Sequence, residues 1–191
     1  HGSMVTEAQP AKLAAMESHW ETQKNAPLYL LQIPRLNGDG NAIQALGIPG
    51  FLSFLAHHDP AAEVTGLNDF PASDRPPVFL TFLSFRVMVG LGFLFLGLTV
   101  YGWFRRNRLE ESPRYLKIMF WAIPLPYLAN SVVWTVSEVG RQPWIVYGVQ
   151  RTSEAVSPID GFQVAISLLA LTAVYTILGL IAFSLMARAI G

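Results

Sequence analysis

The 191-residue chain carries 13 lysines and arginines against 13 aspartates and glutamates, a formal net charge of 0 that argues against a nucleic-acid partner. Hydrophobic residues make up 52% and charged residues only 14%, a membrane balance rather than that of an ordinary soluble domain. Without cysteine, disulfides, iron-sulfur clusters and thiolate-held zinc are excluded within these residues.

The first predicted element runs from Pro10 to about Gln23, with Pro at a plausible first helical position and apolar Leu13, Met16 and Trp20 at helical spacing. It reads as an amphipathic helix that lies on the membrane or on neighbouring spans. From Asn25 to Pro77 the chain is rich in Gly, Pro, Asn and Asp, with short apolar patches at Leu28 to Ile33 and Phe51 to Leu55; loops and one short helix are expected. Three long apolar segments follow, Val78 to Phe104, Tyr115 to Val139 and Phe162 to Ala187. Each reaches the roughly 20 residues that a spanning helix needs. The expected fold is therefore all-α, an integral membrane helical bundle with three transmembrane helices. Neither an internal repeat nor a low-complexity tract is visible.

Basic residues near span ends favour the cytoplasmic side. The loop between the first two spans holds Arg105, Arg106, Arg108, Arg114 and Lys117, whereas the next loop holds only Arg141 and Arg151, and Arg188 follows the third span. This predicts residues 1–77 outside and the C-terminus in the cytoplasm. Nothing near His1 resembles a signal peptide. The chain is therefore expected to be the C-terminal part of a longer membrane protein whose earlier spans deliver residues 1–77 outside, residues 1–4 being native or a cloning scar.

Several residues carry chemistry, and each has a plainer reading. Met88, inside the first span, has a soft thioether that can occupy one axial position of a haem iron. Composition alone favours packing. Arg86, two residues earlier, is a snorkelling cation or a partner for a buried anion such as a haem propionate. Gly90, Gly92 and Gly97 suit a flat cofactor or close helix packing equally well. The run Glu138 to Trp144, EVGRQPW, sets a carboxylate and a guanidinium at the mouth of the second span, where ionisable groups are costly and functional. Asn130, Trp134 and Glu138 share one helix face. By themselves Glu138 reads as an interfacial cap, the tryptophans as an aromatic belt, and Lys12 and Glu17 as solvated surface charges.

Four runs together resemble a known family. QPAKLAAMESHWET (Gln9 to Thr22), FRVMVGLGF (Phe85 to Phe93), IPLPY (Ile123 to Tyr127) and EVGRQPW occur in this order in the C-terminal half of cytochrome bd ubiquinol oxidase subunit I. The resemblance covers nearly the whole chain from Gln9 to the third span, and the GRQPW run preceded by Glu is its most specific part.

The resemblance implies that Met88 is the axial ligand of a low-spin haem b and Glu138 the ligand of a high-spin haem b. A haem d is held by a histidine outside this segment. Arg86 and Arg141 become charge partners for propionates, with Trp134 or Trp144 packing between porphyrins. Residues 1–77 become an extracytoplasmic quinol-binding loop in which Lys12 orients a quinone oxygen and Glu17 accepts protons. Since Lys12 and Glu17 are five apart, about 140° around an ideal helix, they need not grip one ligand together. His19, His57 and His58 are expected at the surface. The implied partners are the remaining N-terminal part of subunit I, subunit II, a small third subunit in some assemblies, quinol, oxygen and the lipid of a bacterial or archaeal cytoplasmic (inner) membrane.

This segment departs from the family pattern in two ways. Only some fifty residues separate the KLAAME helix from the first span, as in members with a short quinol loop, and Gln150 stands where an apolar residue is usual, although Arg151, Thr152 and Pro158 match. The segment alone is expected to be inactive. An alternative from a different class is a cofactor-free transporter or channel component with Arg86 and Glu138 along a polar path. A cofactor-free scaffold subunit is a third reading.

Overall fold

The computed structural model describes residues 2–190, with side chains described for residues 3–189. Two compact units divide the chain after Ala155. The first holds helices α1 (Gly2–Ala8), α2 (Pro10–Met16), α3 (Phe51–His57), α4 (Val78–Arg105), α5 (Pro113–Ala122) and α6 (Leu125–Glu138). The second contains the long helix α7 (Gly161–Ile190).

The helices α4 and α7 are long and apolar enough to cross a membrane, and α5 with α6 makes a third such span if the bent pair is counted as one. The expected second span, Tyr115 to Val139, is thus not a straight helix: α5 and α6 meet at a bend of 40°. Pro124 and Pro126 account for the break, because each lacks an amide hydrogen and crowds the preceding turn. Tyr115 fastens α5 to α4, its hydroxyl donating to the Leu98 carbonyl at 2.9 Å while its ring lies 5.0 Å from that of Tyr101.

The expectation of an all-α fold needs correction. Most of the described residues are helical, but they also form three small antiparallel sheets, pairing β1 (Gln23–Lys24) with β4 (Glu63–Val64), β2 (Leu28–Pro34) with β3 (Asn41–Ile48), and β5 (Trp144–Val146) with β6 (Gln150–Arg151). The β2–β3 hairpin sits where loops were expected. Its register sets Leu28 opposite Ile48, Leu31 opposite Ala45 and Ile33 opposite Ile43. The turn between the strands contains Asn37-Gly38 and Asp39-Gly40, the residue pairs that supply the positive φ a hairpin requires, with Gly38 at φ 73° and Gly40 at φ 144°. In β2 it is Gln32 and Pro34 that are buried while Leu31 and Ile33 are exposed, so the apolar pattern points the wrong way to reveal the buried face.

The helix expected over Pro10 to Gln23 is α2 and stops at Met16. Ser18 adopts a left-handed conformation, φ 46°, and the amides of Ser18 and His19 donate back to the carbonyls of Ala15 and Ala14 at 3.2 and 2.8 Å. That pattern closes a helix C-terminus. Glycine normally occupies the left-handed position, at which an L-residue pays about 1–2 kcal/mol. With serine there, no breaker is visible in the sequence.

Two small cores hold this region together. Ala14, Ala15, Leu67 and Val78 are buried together with Trp20 against them, which fixes α2 to the start of α4. Ala26, Leu52, Ala56 and Val64 are buried with Leu13 and Leu28, which fixes α3 under the other side of α2. At Gly66 the chain passes so close to the Trp20 carbonyl and the Glu21 backbone nitrogen that a Cβ would lie 2.6 Å from the latter, so only glycine fits.

Candidate functional site

The site begins with where α2 ends. Its small buried face, Ala11, Ala14 and Ala15, lets the helix lie close on α4, with the C-terminus of α6 alongside. Lys12 projects to that C-terminus and its Nζ donates to the Ser137 carbonyl at 3.3 Å. A cation on the last carbonyls of a helix satisfies groups that have no partner within the helix and complements its dipole. Burial and the neighbouring Arg141 hold the Lys12 ammonium below its usual range, with Glu138 acting in the opposite sense.

Glu17 is the C-cap of α2 and is buried. Its Oε2 accepts from Arg86 Nη2 of α4 at 2.8 Å. The Arg86 guanidinium also lies over the Phe82 ring, 5.0 Å from the centroid. Burial pushes the Glu17 carboxyl up to about 7, with Arg86 pulling it back. A carboxylate whose affinity for a proton is matched to neutral pH is suited to proton transfer.

Lys12, Glu17 and Met88 line a single cavity of about 430 Å³ whose other walls include Phe85 and Val136. Its lining is mostly apolar, with the lysine and carboxylate at its polar points. The five-residue spacing did not require Lys12 and Glu17 to share a ligand. They do face one cavity, because Glu17 lies just past the last residue of α2 and Lys12 reaches along the helix to α6. Met88 presents a thioether to this apolar space, and a soft donor in such surroundings fits one axial position of a haem iron. Among the described residues no three His, Cys, Asp or Glu side chains converge as a metal-binding group.

The GRQPW run forms a compact turn at the end of α6. Glu138 pairs with Arg141 through one carboxylate oxygen, Oε2, and Gln142 Nε2 donates to the Glu138 carbonyl at 3.2 Å. The Gln142–Pro143 peptide is cis. Thr152 ties the turn to the chain after β6, its hydroxyl donating to Gln142 Oε1 at 2.6 Å and its amide to the Pro143 carbonyl at 2.9 Å. Gly140 is confined from three sides. A Cβ there would run into the Val136 carbonyl and lie 3.0 Å from Thr81 Cγ2 and 3.3 Å from Lys12 Cε, so the absence of a side chain lets the end of α6 meet α4 and α2.

Arg86 is thus engaged by Glu17, and Glu138 by Arg141. Trp144 is in β5 beneath Arg151, whose guanidinium lies 4.8 Å from the ring centroid and which also pairs with Asp74. Trp134 faces outward, 69% exposed, away from the cavity. His57 and His58 are exposed, but His19, expected at the surface, is buried with Nε2 3.3 Å from the Val64 carbonyl, and that burial lowers its proton affinity. Ser137 and Gly140 have roles that reasoning on titratable and ligand side chains passes over; the glycine inside GRQPW was the available signal for the second. Asp74 and the Ser18 turn had no local signal at all.

The chain is 35% identical to the cytochrome bd ubiquinol oxidase subunit 1 of Bacillus subtilis (strain 168) over 198 residues, covering 97% of this chain and 42% of the relative. It is 27% identical to the cytochrome bd-II ubiquinol oxidase subunit 1 of Escherichia coli (strain K12), covering 91% of this chain and 47% of that protein. The structure superimposes on a bd oxidase from Geobacillus thermodenitrificans with a TM-score of 0.75 and 35% identity, over 93% of this chain and 41% of the other. The chain therefore spans less than half the length of the relatives it matches. Since the family described as cytochrome bd terminal oxidase subunit I matches throughout residues 1–191, this chain belongs to it.

Proposed function

We propose that this chain contributes the quinol-oxidising and b-haem region of a terminal quinol:oxygen oxidoreductase of the respiratory chain. The observation that carries the reading is the cavity in which Lys12, Glu17 and Met88 meet, because it sets a cation, a proton acceptor near neutrality and a soft ligand around one apolar space. A quinol headgroup at the Lys12 and Glu17 end of that space, clear of Met88, would have its oxygen oriented by the Lys12 ammonium and its proton taken by the ionised Glu17 carboxylate. Arg86 holds the carboxylate in place through the 2.8 Å contact and lowers its proton affinity, so that it is available as a base at neutral pH. Phe85, Val133 and Val136 exclude water around the quinol ring.

Met88 and Glu138 are the proposed iron ligands, with Arg86, Arg141, Trp134 and Trp144 around the two b haems. When bound, these and a haem d held elsewhere in the complex supply the electron-carrying and oxygen-reducing chemistry. Release of quinol protons outside and uptake of protons inside separates charge without a pump. In this reading the protein is a multi-pass component of the cytoplasmic membrane, with residues 1–77 outside and the C-terminus inside. It assembles with the rest of subunit I, subunit II and, in some complexes, a small third subunit. The transporter alternative gains no support, since the family that matches residues 1–191 is that of a terminal oxidase subunit.

The test is a reduced-minus-oxidised optical spectrum of the complete membrane complex containing this chain. Haem b and haem d bands are expected, and a folded complex with no haem would overturn the proposal. A pH prediction accompanies it. Glu17 must be ionised to accept a proton, and its carboxyl titrates at about 7. The kcat/KM for quinol should therefore rise as pH increases through about 7, and a profile flat across that range would remove Glu17 as the base.

A further inference from the structure

We infer that the β2–β3 hairpin is a positioning element for Glu17, acting through Gln32 and Asn41 on the left-handed turn at Ser18. Its functional consequence rests on the quinol-site reading, but its structural basis does not. Serine in a left-handed conformation is held only where its surroundings over-determine it. Here Ser18 is fully buried and all its polar atoms are engaged. Its carbonyl accepts from Gln32 Nε2 at 2.9 Å and from Asn41 Nδ2 at 3.0 Å. Its hydroxyl donates to Asn41 Oδ1 at 2.7 Å and accepts from Trp20 Nε1 at 3.1 Å.

The two amide side chains come from different strands of the hairpin, Gln32 from β2 and Asn41 from the start of β3. Gln32 is buried although the hairpin exposes Leu30, Leu31, Ile33 and Ile43. Burying a glutamine while exposing leucine and isoleucine is costly unless the amide is engaged there, and its Nε2 clasps the turn although its Oε1 has no hydrogen-bond partner among the described residues. Glu17 is the residue on which α2 ends. It immediately precedes Ser18, so the backbone that the two amides clasp is the backbone that carries the carboxylate held by Arg86 at 2.8 Å. Gln32 and Asn41 do not face the cavity of Lys12, Glu17 and Met88, so they are positioning residues that work through the backbone.

The experiment uses the complete complex and compares wild type with Gln32→Ala, Asn41→Ala and Asn41→Asp, each alone and combined with Glu17→Gln. Asn41→Asp retains the acceptor for the Ser18 hydroxyl but turns a carboxylate oxygen on its carbonyl, whereas Gln32→Ala removes a single hydrogen bond and is the milder variant should the Asn41 substitutions fail to assemble. Amide hydrogen exchange over residues 14–20 should accelerate about tenfold in Gln32→Ala, the factor that one lost hydrogen bond is worth, and further in Asn41→Ala, which removes two. The KM for quinol should rise about tenfold or more while turnover with an artificial electron donor is unchanged, because a misplaced group costs that much even far from the reacting atoms. Asn41→Asp should match or exceed Asn41→Ala in both effects, and in the Glu17→Gln background the KM increment should vanish.

Unchanged exchange over residues 14–20 would overturn the inference, as would a KM increment that persists in full once Glu17 is glutamine. If Glu17→Gln by itself leaves quinol kinetics at the wild-type level while exchange still accelerates, the hairpin positions Glu17 as inferred and it is the quinol-site reading that fails.

Discussion

Glu17→Ala in the complete complex should lower quinol-driven oxygen consumption by about 10²–10⁴-fold, the usual contribution of a positioned proton acceptor. Electron entry from an artificial donor and haem content should stay near wild type. The Glu17 carboxylate is out of solvent, is held by Arg86 at 2.8 Å, and lines the same cavity as Lys12 and Met88. Removing it also leaves the Arg86 guanidinium without its carboxylate, and an unpaired buried charge destabilises its surroundings. Glu17→Gln separates the two effects, since the amide keeps the shape and an acceptor for Arg86 but cannot take a proton. The glutamine variant should therefore assemble with normal haem content and still be slow with quinol. Equal losses with quinol and with the artificial donor would contradict a quinol-site role for this residue.

Met88→Ala carries the second large effect, loss of the low-spin haem b signal from the reduced-minus-oxidised spectrum. Truncation to alanine also enlarges the cavity, which in a fully buried site costs about 2–5 kcal/mol and less at a half-buried position such as this one. Met88→Leu is the control, because it preserves volume and apolar character and removes only the thioether. If Met88 ligates iron, both variants lose the signal, and the leucine variant does so without loss of assembly. A leucine variant with the wild-type spectrum would reduce Met88 to a packing residue, the role that composition alone suggested.

Arg86 shows how a residue can be singled out from sequence while its partner is not. A lone arginine near the end of an apolar helix announces that an anion or an interface is close. Nothing in the spacing indicates that the anion is Glu17, which precedes it by sixty-nine positions. The same holds for Lys12 and Ser137, separated by 125 positions. Such pairs are formed by packing of α2 on α4 and α6, and packing depends on small residues, here Ala11, Ala14, Ala15 and Gly140, whose role is to be absent from the space between elements.

By itself the sequence determined the three apolar segments, the family and the residues with candidate chemistry, because long hydrophobic runs and rare motifs such as GRQPW are local properties. It also determined that α2 begins at Pro10, since proline at a first helical position is a local signal. Where α2 ends was decided by tertiary structure: Ser18 takes a glycine's conformation because Gln32 and Asn41, on a hairpin of its own making, satisfy its polar atoms. The hairpin itself was partly legible in Asn37-Gly38 and Asp39-Gly40, but not its orientation, since its exposed apolar and buried polar side chains invert the pattern on which the reading of a strand depends. The break between α5 and α6 lay open in Pro124 and Pro126, whereas its 40° angle is set by how each half packs. The meeting of Lys12, Glu17 and Met88 in one cavity belongs wholly to the tertiary structure, for it requires α2 to pack against α4, far along the chain.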